Sequence, residues 1–129
     1  MSAQIIIARD YATQTLGYTV VLGAECGCHR MNDTITLNTT ELNSISAGSG
    51  VTLELTTLYV LLHEMGHTIQ PMSHHYLYEF NPIPAEEDAW DRAIGLYYQL
   101  FGVDAPIQMY KLRRHCMSTY YSKYGHLIK

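Results

Sequence analysis

The chain has few cysteines, few basic residues and no long apolar run, and each shortage excludes something. Three cysteines in 129 residues is an odd and small number. It argues against a disulfide framework and leads us to expect a reducing, cytoplasmic setting. Eight Lys and Arg stand against twelve Asp and Glu, a net charge of −4 with histidine neutral. That balance offers no electrostatic basis for gripping nucleic acid or an anionic membrane. The late bases Lys111, Arg113, Arg114 and Lys123 fall toward the end of an expected helix, where cations answer the helix dipole. No apolar stretch approaches the ~20 residues of a membrane span. The opening Met1–Ile7 lacks the charged region of a secretory signal. Phenylalanine is scarce as well, two residues against eleven tyrosines. Five of the tyrosines lie between Tyr97 and Tyr121, on expected helices, and read as amphipathic packing residues.

What is present suits one globular domain over residues 1–129, with no repeat or linker. Ile5, Ala8, Ala12 and Leu16 keep a helical spacing, so residues 3–15 read as a helix stopped by Gly17. Tyr18–Leu22 reads as a strand. Cys28–Met31 and Thr34–Asn38, around Asn32-Asp33, read as a hairpin. Residues 39–51 are polar and read as a loop with a short helical turn at Thr40–Ser44. Thr52 is then an N-cap, and Leu55, Leu58, Leu62, Met65 and Ile69 form an apolar helical face that ends before Pro71. Residues 71–84 read as an irregular crossing. Pro84 opens the next helix, with Glu86, Glu87 and Asp88 in its first turn, and Gly102 closes it. A last helix is expected from Asp104 as N-cap to Gly125. The sum is an α+β fold, mainly helical, with a small antiparallel sheet packed on the central helix.

That central helix carries His63-Glu64-Met65-Gly66-His67, an H-E-x-x-H. Histidines at i and i+4 share one helix face, so both imidazoles can hold one Zn²⁺, with Glu64 beside it as general base. A largely apolar helix that suddenly carries three such groups needs partners for them. Gly66 inside the helix costs about 1 kcal/mol relative to alanine, which implies close approach of another backbone. We place the hairpin there, and its edge then offers an extended peptide a strand to pair with.

Three candidates compete for a third ligand. His74 and His75 do not fit the longer three-histidine motif: Gln70 holds its glycine position and Ser73 its last histidine position. They read instead as loop histidines or as polarising groups near the metal. Cys26-Gly27-Cys28-His29 lacks the second half of a four-ligand site and reads as small hairpin cysteines. A carboxylate from Glu86, Glu87 or Asp88 fits best, because two histidines and one glutamate leave a fourth position for water.

Glu86-Glu87-Asp88-Ala89-Trp90-Asp91-Arg92-Ala93 has the form E-x-x-A-x-x-x-A, after H-E-x-G-H and a variable loop. This resembles the ImmA/IrrE-type metallopeptidases and related small phage and mobile-element zincins of the gluzincin group. Thr34-Ile35-Thr36-Leu37-Asn38 is similar to their I-x-L-N strand, and Arg92-Ala93 stands where they often have Phe-Ala. The resemblance covers roughly residues 18–101. It implies a minimal zincin-like domain, a third zinc ligand at Glu86, a protein or peptide substrate, and an intracellular setting, including a host cytoplasm for a phage product. Glu87, which forms E-x-x-x-D with Asp91, is the rival ligand; the two lie about 100° apart on a helix, so one of them faces the metal. His74, His75, Tyr76, Tyr78 and His115 are candidates for stabilising an oxyanion, and Asp88 or Asp91 for orienting the histidines. The alternative function is a zinc-containing module that binds a partner, or a phage structural protein, without hydrolysis.

Overall fold

A computed structural model describes residues 2–71 and 81–125. Helix α1, Ala3–Tyr11, starts where the Ser2 hydroxyl accepts the Ile5 N–H at 3.1 Å. It runs into a π-helical turn over Ala12–Leu16 and stops at Gly17, whose φ of 77° is left-handed. Ile5, Ala8 and Ala12 are buried at the expected spacing.

Three short strands follow: β1 (Thr19–Leu22), β2 (Gly27–His29) and β3 (Thr34–Leu37). The expected β2–β3 hairpin is present, with Cys28 opposite Ile35. The sheet, however, is mixed rather than antiparallel. Its order is β1-β3-β2, and β1 lies parallel to β3 with Val20 opposite Ile35. The cause is the segment between β1 and β2, which crosses the end of β3 instead of turning back beside β1. Gly23 N–H donates to Leu37 O at 2.9 Å, and Thr36 Oγ1 donates to Glu25 O at 2.8 Å. A Cβ on Gly23 would sit 2.9 Å from the Thr36 Cβ, so the crossing requires glycine. This leaves β2 at an edge of the sheet. Ile35 and Leu37 of β3 face the core, and the alternation read from Thr34–Leu37 is present.

Residues 39–51 are not a loop. Helix α2 spans Thr39–Ser49, capped by the Asn38 side chain on Glu41 N–H at 2.9 Å and closed by Gly50. Ser, Thr, Asn and Gly give this stretch poor intrinsic helicity, but the cap and the burial of Leu42 outweigh it. Helix α3, Leu53–Thr68, begins at Thr52 as expected and is the most buried element. Helix α4, Ile83–Phe101, has Pro84 in its first turn and Gly102 beyond its end, also as expected. Helix α5, Ile107–Tyr124, starts after Pro106 and not at Asp104. Proline disfavours helical geometry in the residue before it, so Ala105 cannot continue a helix begun at Asp104. Of the five late tyrosines only Tyr97 is buried, while Tyr98, Tyr110 and Tyr121 are exposed.

One hydrophobic cluster joins residues of all five helices and of β3, and α3 lies at its centre. The closest packing is between α3 and α4. A Cβ on Gly66 would meet the Ala89 backbone, with C at 3.2 Å and Cα at 3.3 Å. The backbone that demands Gly66 is therefore that of α4, not the hairpin. Among the described residues no single helix is long and apolar enough to cross a membrane.

Candidate metal centre

The Gly66–Ala89 contact sets the geometry of the site. His63 lies three residues before Gly66 on α3, and Glu86 three before Ala89 on α4, so one close approach brings both side chains together. Ala89 and Ala93 are fully buried, and their small size lets the helices meet. Glu86 Oε2 lies 3.1 Å from His63 Nε2 and 2.6 Å from His67 Nε2. One donor atom from each of these residues falls within 4.8 Å of the other two, a spacing that could hold a metal ion.

Each donor has its own support. His67 Nδ1 lies 2.7 Å from Gln70 Oε1, while Gln70 Nε2 donates to Ala85 O at 2.7 Å and to Asp88 Oδ2 at 3.0 Å. With its amide nitrogen so engaged, Gln70 offers His67 only an acceptor, so the imidazole carries its proton on Nδ1. Asp88 is steadied in turn by Arg92 Nε at 2.7 Å, and Gln70 O accepts from Arg30 Nη1 at 2.8 Å. Glu86 Oε1 accepts the Tyr120 hydroxyl at 2.5 Å, leaving Oε2 for the histidines. The buried Trp90 stacks on His63, with ring centroids 4.4 Å apart. His63 Nδ1 is buried without a hydrogen-bond partner among the described residues.

The electrostatics favour positive charge between these groups. A neutral His67 protonated on Nδ1 would turn its Nε2 lone pair toward a carboxylate oxygen at 2.6 Å. In the bare protein a proton supplies the missing charge. Burial pulls the His67 pKa down, but the hydrogen bond and charge of Glu86, with Glu64 and Gln70, outweigh it and hold it at about 9. Burial pushes the Glu86 carboxyl up, and the two histidines more than reverse this, drawing it well below the usual range. The residues thus fit a divalent ion that accepts both imidazole and carboxylate ligands.

Glu64 is 6% exposed, and burial raises its pKa. Its Oε1 lies 4.0 Å from His67 Nε2, and no hydrogen bond is made to it among the described residues. It opens instead onto a cleft of about 630 Å³, whose near wall is His63, His67, Glu86 and Trp90. The far wall comes from β2, α2 and α5, including Cys28 and Glu41, while Tyr120 of α5 reaches across to Glu86.

Compared with protein-family models, curated proteins and solved structures, the chain matches none of them. The other sequence candidates fall as follows. Glu87 does not line the cleft, and its backbone carbonyl accepts from Arg113. Asp88 reaches His67 through Gln70, whereas Asp91 pairs with Arg113 at 2.7 Å on the surface. Cys26, Cys28 and Cys116 line the cleft but join no metal-spaced group among the described residues. Burial, the largest influence on each, pushes their thiols up to about 11, 12 and 12. His115 lines the cleft, while His74, His75, Tyr76 and Tyr78 lie outside the described residues. Sequence reasoning missed Gln70, Trp90 and Tyr120 as site residues. Trp90 sits four residues after Glu86, a spacing that shares a helix face, whereas Gln70 lies beyond the end of α3 and reaches back to His67 from the turn that follows. Tyr120 had no such local signal.

Proposed function

We propose that the chain is a zinc-dependent peptidase in which His63, His67 and Glu86 hold the ion and Glu64 is the general base. One observation carries the reading: the three donors converge beside a buried carboxylate, Glu64, that lacks a hydrogen-bond partner among the described residues and faces an open cleft. Two imidazoles and one carboxylate form a donor set used by catalytic zinc, with a position left open. Bound there, zinc supplies a Lewis acid that brings the pKa of water to about 7 and polarises a carbonyl.

The chain's own residues do the rest. Gln70 keeps the His67 proton on Nδ1, so Nε2 faces the centre as a lone pair. Tyr120 occupies one Glu86 oxygen and aims the other. Glu64 takes a proton from water lodged beside it and delivers it to the leaving amine; burial raises its pKa, which makes it a better proton acceptor than an exposed carboxylate. The edge strand β2 lines the cleft, which places a sheet edge where an extended peptide can add as a strand.

Metal analysis of the purified chain is expected to give about one zinc per molecule, and Glu64→Gln to keep the zinc and lose cleavage of an unfolded protein substrate. A zinc-free protein never exposed to chelator overturns the reading. Zinc without cleavage by the wild type leaves the partner-binding alternative in its place.

A further inference from the structure

Apart from its histidines, the charged side chains that line the cleft are all acidic. Beside Glu64 and Glu86 stand Glu25 and Glu41, and among the described residues no lysine or arginine joins them. Arg30, Arg92 and Arg113 are committed to Gln70, Asp88 and Asp91. With the divalent ion proposed above beside Glu64 and Glu86, Glu25 and Glu41 are left without a Lys or Arg partner among the described residues.

Glu41 is the better placed of the two. It is half-buried, in the first turn of α2, and its Oε2 accepts the Cys26 N–H at 2.7 Å. No cationic side chain meets it among the described residues. Ile45, one turn further along α2, lines the same cleft, as does Val60 of α3. An apolar wall leading to a half-buried carboxylate accommodates a side chain with a methylene stem and a cationic head. A separate sign that this cleft receives a polar ligand is Glu64, whose side chain is only 8% exposed and has no hydrogen-bond partner among the described residues.

We propose that the substrate is a peptide with a lysine or arginine beside the bond to be cleaved, and that Glu41 is the side chain that selects it. The word substrate rests on the peptidase reading above; the preference for a basic side chain does not. The test uses the full chain, zinc-loaded and carrying Glu64→Gln so that no peptide is turned over. Three blocked alanine octapeptides, differing only in a central Lys, Leu or Glu, are titrated and followed by chemical shift. The lysine peptide is expected to bind about tenfold tighter than the leucine peptide, as befits a charge-assisted hydrogen bond. Adding Glu41→Gln keeps an acceptor for Cys26 N–H and is expected to erase that difference; adding Glu41→Lys is expected to shift the preference to the glutamate peptide. No difference among the three peptides, or a lysine preference that survives Glu41→Gln, overturns the proposal. If the wild type cleaves nothing yet the preference depends on Glu41, the peptidase reading fails and the basic-peptide site stands.

Discussion

The two walls of the cleft are built on different terms. The near wall, from α3 and α4, is a backbone-to-backbone contact at Gly66 and Ala89, and its functional side chains are largely buried and braced by Gln70, Trp90 and Tyr120. The far wall, from β2, α2 and α5, is partly buried and carries thiols, His115 and Glu41, with Glu41 bonded to the Cys26 N–H. The contrast separates two tasks. Under the proposed function, donors that share one ion must be held within narrow tolerances, and these three sit on packed helices. Side chains that meet a variable partner need reach more than rigidity.

Four experiments can break or sharpen that division. Glu64→Gln is expected to have the largest effect, lowering cleavage on the order of a thousandfold, as loss of a general base does; a rate near wild type removes Glu64 from the chemistry. Next comes Gly66→Ala, which drives a methyl into the Ala89 carbonyl and is expected to cost about 1–3 kcal/mol in denaturant unfolding. If that variant unfolds like the wild type, the near wall is not set by backbone contact. Gln70→Ala is expected to weaken zinc binding roughly 10–100-fold, the usual consequence of removing a ligand's hydrogen-bond partner. A competition titration with a chelator reads this directly. The smallest effect is expected from Cys28→Ser on the far wall, which should leave zinc content unchanged because its thiol is protonated at neutral pH.

The same network makes the metal-free protein sensitive to pH. The folded-state pKa of His67 is raised to about 9 from 6.5, so its contribution to stability is full below pH 6.5 and is lost as the pH climbs through 9. Glu86 is depressed, so its contribution is present above pH 4.5 and lost on acidification. The melting temperature of chelated protein is therefore expected to fall on both sides of the range between these values. Zinc-loaded protein is expected to lack the alkaline fall, since zinc replaces the His67 proton.

Much of the near wall was legible in the sequence, because it is local and periodic. Thr52, the apolar face of α3, Pro84 and Gly102 are read from spacing alone. Glu86 was singled out by the family-like spacing, and geometry puts it, not Glu87, against both histidines. What escaped depends on contacts distant in sequence. The place of β3 between β1 and β2 follows from a crossing over Thr36. The helicity of α2 follows from a cap and a buried leucine that outweigh a polar composition. Tyr120, 34 residues from Glu86, is brought to it only by the packing of α5.

The close approach of Gly66 to Ala89 also has a meaning for how such a site can change. Side chains vary in length and rotamer, but two main chains in contact form a ruler with almost no play. Under the proposed function, substitutions at Glu41 or Ile45 are therefore expected to alter which partner is accepted without displacing the histidines, which sit on α3. On that reading specificity is free to drift while the gap between the three donors stays at constant width.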